Sequence, residues 1–118
     1  MMNYQIVMLG SPFLENDIKK SIVDYDSIGV VDAEHVNNDL PVLYLYFGKT
    51  IYDKANHSNV NLGKQSRRNC ILPILKDAKM FNSCIPEELK EINGFVLTDK
   101  TISKLKNYIL TWFGIMEQ

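Results

Sequence analysis

The feature that most constrains the fold is the run Val42-Leu43-Tyr44-Leu45-Tyr46-Phe47, closed by Gly48-Lys49. Six consecutive aromatic or aliphatic residues leave no polar face, so a strand built from them must be covered on both sides. That is the condition of an inner strand in a sheet with helices on both faces. In such sheets, ligands sit beyond the carboxyl ends of the central strands. Gly48 and Lys49 therefore border the expected site.

The flanking segments supply partners for this strand. Tyr4 to Leu9 reads as a first strand, closed by Gly10-Ser11-Pro12. Phe13 to about Tyr25 follows with Leu14, Ile18, Ile22 and Tyr25 at helical spacing and charged residues between them. Ser27 to Val31 reads as a short second strand running into the polar stretch Asp32-Ala33-Glu34-His35, and Asn37-Asn38-Asp39 reads as a turn. Cys70 to Leu75 reads as a further buried strand, with Pro73 favouring an edge or bulge position because it lacks a ladder donor. Pro86, followed by Glu87 and Glu88, opens a short helix that ends at Asn93-Gly94. Phe95 to Leu97 is a last strand. Thr101 to Met116 is an amphipathic helix with Ile102, Leu105, Ile109, Trp112, Phe113 and Met116 on its apolar side, capped by Asp99 or Thr101. The stretch from Ile51 to Asn69 is polar and reads as a long loop with one poor helix.

Strands alternating with helices imply a parallel sheet joined by right-handed crossovers. The expected fold is a compact three-layer, flavodoxin-like α/β domain with a mainly parallel sheet of about five strands. At 118 residues the chain is expected to form one domain, residues 1–118.

Composition narrows the function classes. A net charge of −1 argues against a dedicated nucleic-acid binder. No apolar run approaches the ~20 residues of a membrane span. The start of the chain lacks the basic and apolar regions of a secretory leader, so the cytoplasm is the expected compartment. Cys70 and Cys84 have no metal-ligand spacing; two reduced thiols are expected, and no metal site. Charge is unevenly spread. Residues 1–39 carry seven acids against Lys19 and Lys20, whereas residues 40–79 carry seven bases against Asp53 and Asp77. Opposed charge of this kind favours homo-oligomers or a charged protein partner; charges interleaved on a solvated surface are the plainer alternative.

Three groups of residues are candidates for binding. Gly10 and Ser11 lie between the first strand and the first helix, where backbone N–H groups can meet a phosphate, although neither the dinucleotide fingerprint nor the Walker lysine is present. An ordinary strand-to-helix turn is the simpler reading of them. Asp32 and Glu34 follow the second strand, where a carboxylate can hold a ribose hydroxyl; Glu34 and His35 are adjacent, which is poor geometry for an acid–base pair. Lys49 with Lys64, Arg67 and Arg68 forms a basic set suited to a phosphate or an acidic protein surface. Solvated loop charge is the simpler reading of that set. Trp112-Phe113 is either helix packing or, beside Gly114, an exposed interface anchor.

Residues 40–97 resemble a Toll/interleukin-1 receptor (TIR) type domain. The resemblance is carried by Leu40-Pro-Val-Leu-Tyr-Leu-Tyr-Phe47, Asn69-Cys-Ile-Leu-Pro-Ile-Leu75 and Ile85-Pro-Glu-Glu-Leu-Lys-Glu-Ile-Asn-Gly-Phe-Val-Leu97. These match the family's third strand, its Ile-Leu-Pro-Ile-Leu fourth strand, and its Pro-x-x-Leu helix start with the short fifth strand. The first half departs from the family pattern. The resemblance implies a signalling or defence-associated domain acting by protein–protein contact. Enzymatic members cleave NAD with a glutamate on the helix after the third strand, and residues 48–70 contain no glutamate, only Asp53. NADase activity is therefore not expected. The alternative is binding of NAD or a nucleotide derivative, or N-glycosidic-bond processing of the nucleoside deoxyribosyltransferase type. A non-catalytic subunit of a larger complex also fits the size.

Overall fold

The computed structural model describes residues 2–10, 12–47, 69–77 and 94–115. Five strands form one sheet: β1 (Tyr4–Gly10), β2 (Ile28–Val30), β3 (Val42–Phe47), β4 (Asn69–Leu75) and β5 (Phe95–Val96), in the order β2-β1-β3-β4-β5. Every pairing is parallel. This is the flavodoxin-like strand order, in which the chain moves from β1 outward to β2 and then returns past β1 to β3.

The apolar run sits where its composition requires. All six residues of β3 are buried, and the strand is third of five. Its side chains divide by alternation. Leu43, Leu45 and Phe47 join Ile6, Leu72 and Ile74 beneath helix α1 (Glu15–Ile22) and helix α2 (Ile102–Phe113), which contribute Ile18, Ile22, Leu105, Ile109 and Phe113. Val42, Tyr44 and Tyr46 face the other way, with Val7, Leu9, Ile71 and Leu75. Each of the larger buried aliphatic side chains is worth about 1.5–3 kcal/mol relative to exposure. The two-sided burial of β3 therefore makes it the strand on which the fold depends most.

The connection from β2 to β3 must cross β1. It does so on the face opposite α1, where Val31 and Val36 pack on the second cluster. A short 3₁₀ turn, Ala33–His35, opens this crossing, and Gln5 of β1 fastens it. The Gln5 side chain is fully buried; its Nε2 donates to the Asn37 carbonyl at 2.8 Å and its Oε1 accepts from the Asn37 N–H at 2.7 Å. A buried amide with both ends engaged meets the requirement that withdrawn polar groups be paired.

Several expectations need adjustment. Pro73 lies in β4, an inner strand, and not on a sheet edge. The Leu75 carbonyl accepts from the Leu97 N–H, so the odd-numbered backbone groups of β4 face β5. Pro73 shares that side, and β5 pairs only from Ile74 onward. The missing donor thus falls before the first described pair of the β4–β5 ladder. Helix α1 begins at Glu15, later than Phe13, because Leu14 stands at its N-cap position with φ 54°, the left-handed region. At α2, Thr101 occupies the N-cap position but makes no capping bond. Its hydroxyl is used upstream, accepting from the Thr98 N–H at 2.8 Å and donating to the Val96 carbonyl at 3.1 Å. Phe113 is no exposed anchor: it is buried, with its ring 4.8 Å from that of Tyr4. Leu110, absent from the expected apolar side of α2, is buried as well. The expected helix at 86–93, the expected loop up to residue 68 and Cys84 lie outside the described residues, and Asn69 opens β4. No helix among the described residues is long and apolar enough to cross a membrane.

Candidate functional site

In this strand order β1 connects to β2 on one side and β3 to β4 on the other, and in sheets of this kind ligands bind beyond the carboxyl ends of the two strands. The register places Gly10 opposite Phe47 at the last pair of the ladder. Gly10 has φ 88°, and a Cβ there would overlap the Phe47 carbonyl oxygen. Glycine is required on both counts, since only it takes this conformation without strain and lets β1 turn off directly against β3. Leu14, four residues on, is the one non-glycine residue with positive φ among the described residues. A left-handed leucine costs roughly 1–2 kcal/mol, so tertiary packing must hold the β1–α1 connection in place. Leu14 and Phe13 both pack on the core beneath α1 and α2.

Phe13 lies at this carboxyl edge, packed against the core. Its ring meets that of Phe47 edge to face, with centroids 5.3 Å apart. Lys76, the first residue after β4, brings its Nζ to 5.1 Å from the Phe13 ring centroid. Sequence order spreads Gly10, Phe13, Phe47 and Lys76 across the chain; the parallel sheet gathers them because every strand ends on the same side.

The sequence candidates divide. Gly10 lies at the centre of this edge. Asp32 and Glu34 follow β2, one strand farther out, and both are exposed. His35 does not pair with Glu34. The 3₁₀ turn eclipses residues three apart, so its Nδ1 lies 3.5 Å from Oδ2 of Asp32 instead. With side chains 72% and 86% exposed, that pair is a solvated contact of small energetic weight. Ser11, Gly48, Lys49, Lys64, Arg67 and Arg68 lie outside the described residues. The first turn of α1 carries Glu15 and Asp17, with Glu15 3.3 Å from Lys19. Those carboxylates already complement the helix dipole and disfavour a phosphate there.

Phe13 and Lys76 were not among the residues that the sequence singles out. A signal for Lys76 was available: it directly follows an apolar strand, as Gly48 and Lys49 do. Nothing local marks Phe13, whose place depends on the left-handed turn that removes it from the helix. No cluster of three or more His, Cys, Asp or Glu side chains able to hold a metal occurs among the described residues.

Comparison with known proteins gives no match: no family model fits the sequence, and no curated protein or solved structure matches it.

Proposed function

We propose that the chain is a TIR-like, signalling or defence-associated domain that works by protein–protein contact and does not hydrolyse NAD. The observation that carries this reading is the exposure of the acids that the first third of the chain concentrates. Glu15, Asp17, Asp24, Asp26, Asp32, Glu34 and Asp39 are all exposed, and all belong to α1, the turn after it, or the crossing between β2 and β3. These segments flank the β2 end of the sheet on both of its faces, and residues 1–39 hold only Lys19 and Lys20 against seven acids, with Lys106 of α2 placed over the Tyr25 ring beside them. Exposed acids of this kind suit a basic partner, including a second copy, whose residues 40–79 carry seven bases in sequence. The lack of glutamate between residues 48 and 70 supports a non-hydrolytic role.

Sedimentation at low and high ionic strength tests the reading. Self-association, or capture of a basic partner, that weakens as salt rises is the expected result. A protein that stays monomeric at low salt, binds no partner and releases nicotinamide from NAD would overturn it.

A second reading is binding of a nucleotide or NAD derivative beyond the carboxyl ends of β1 and β3. It is favoured by the lysine that the fold delivers to that edge. Thermal shift against NAD, ADP-ribose and cyclic nucleotides tests it, and no shift with any of them removes it.

A further inference from the structure

We propose that the Lys76 ammonium, seated on the Phe13 ring, is an anion-binding subsite that takes the phosphate group of a small ligand. The proposal depends on the second reading only for the location of the ligand.

Placement comes first. Lys76 belongs to the end of β4, and β3 separates β4 from β1. Two strand spacings amount to about 10 Å. The Lys76 Nζ nevertheless lies 5.1 Å from the ring of Phe13, which belongs to the β1–α1 connection. The side chain therefore lies across the end of β3, with its charge at the switch point between β1 and β3.

The state of that charge is the second argument. A ring face attracts an ammonium without neutralising it, unlike a carboxylate. Among the described residues Lys76 forms no ion pair, whereas Lys19 is paired with Glu15. Lys76 is also exposed, so its remaining N–H donors can reach a ligand. Preorganisation is the third. Phe13 is braced edge-on against Phe47, a fully buried side chain. The ring that holds the lysine is thus fixed to the core, which lowers the ordering cost of binding. An ammonium is a compact point charge with three donors, suited to a tetrahedral anion. Because the ammonium already occupies one face of the Phe13 ring, that face is not available to stack a base, and the subsite selects charge over ring.

The test is amide NMR of the labelled protein at constant ionic strength, titrated with inorganic phosphate, AMP and adenosine. Phosphate and AMP are expected to give saturable shifts at Gly10, Phe13 and Lys76, and adenosine none. Lys76→Gln should weaken phosphate about tenfold, the effect of losing one charged hydrogen-bond donor. Phe13→Leu, which keeps the charge but frees it, should weaken it several-fold. Lys19→Gln removes the same charge from α1 and should change nothing. Both lysines are exposed, so the variants retain the fold, verified by unshifted core amides. No saturation by ~10 mM phosphate, a range covering even weak millimolar sites, overturns the subsite, as does equal binding by the two glutamine variants. If phosphate titrates Lys76 while AMP shifts only other amides, the subsite stands and the nucleotide reading falls. Saturable AMP binding at that edge that ignores Lys76→Gln overturns the subsite and leaves the nucleotide reading standing.

Discussion

Replacing Gln5 with methionine isolates the energy of the clamp between β1 and the crossing to β3. Methionine keeps the length of the side chain and its fit in a fully buried position, but removes both polar ends. Two hydrogen bonds, at 2.8 and 2.7 Å, are lost; a third donor contact, to the Leu40 carbonyl at 3.5 Å, is too long to count for much. At about 0.5–1.5 kcal/mol each the two bonds are worth about 2 kcal/mol. The stranded Asn37 backbone groups add to the cost, while burying a thioether in place of an amide returns about 1 kcal/mol. A net loss of about 2 kcal/mol is expected. With an unfolding entropy of about 2.1 cal/mol/K per residue, a chain of 118 residues loses about 4 °C of Tm per kcal/mol, or about 8 °C here. Urea unfolding with an unchanged m-value, together with calorimetry, measures it. Gln5→Glu sharpens the test through its sign with pH. A buried carboxylate facing the Asn37 carbonyl has its pKa raised above the unfolded value of about 4.3, because only the protonated acid can replace the amide donor. A raised folded pKa gives stability that is present at low pH and lost as pH rises. The variant should thus approach the wild type near pH 4 and fall away toward pH 7. A cost for Gln5→Met below about 0.5 kcal/mol, the scale of an ordinary surface change, refutes the clamp. A pH profile for Gln5→Glu parallel to that of the wild type does so too.

Gly10→Ala should cost at least about 2 kcal/mol, since it combines left-handed strain with overlap on the Phe47 carbonyl. Gly29→Ala meets only the flexible Met2 side chain and should cost less than about 1 kcal/mol; denaturation of the pair shows whether backbone or side chain sets the penalty. Burial pushes the Tyr44 phenol above the usual tyrosine range. Its absorbance titration should lag the exposed tyrosines, and by the same linkage its contribution to stability is lost as pH rises past about 10. A titration with all tyrosines ionising together would count against this. Gly114→Ala places a methyl group in open space at φ 75°, so about 1 kcal/mol, read by thermal unfolding, should reflect conformation alone.

How far the chain could be read depends on the range of the interaction concerned. The β3 run announced both its burial and its inner position, because six apolar residues in a row leave a strand no wet face. The α/β alternation led to the parallel sheet for the same local reason. Pro73 pointed to an edge or bulge position, yet β4 lies inside the sheet, and only the register of β4 against β5 showed which way the proline nitrogen faces. Local spacing failed where tertiary contacts overrode it. Leu14 continues the apolar stripe of α1 but is held left-handed outside the helix, and the Thr101 hydroxyl has its hydrogen bonds in the chain just upstream. The burial of Phe113 on the apolar side of α2 was legible from spacing, but its partner Tyr4, from the opposite end of the sequence, was not.

The sequence by itself therefore determined the kind of layers, the central strand and the glycine at the end of β1, since periodicity and backbone conformation are properties of neighbouring residues. Only the tertiary structure decided what meets at the carboxyl edge. Phe13, Phe47 and Lys76 lie on three separate segments, and their contact follows from strand order and register, which are fixed by the packing of the whole sheet.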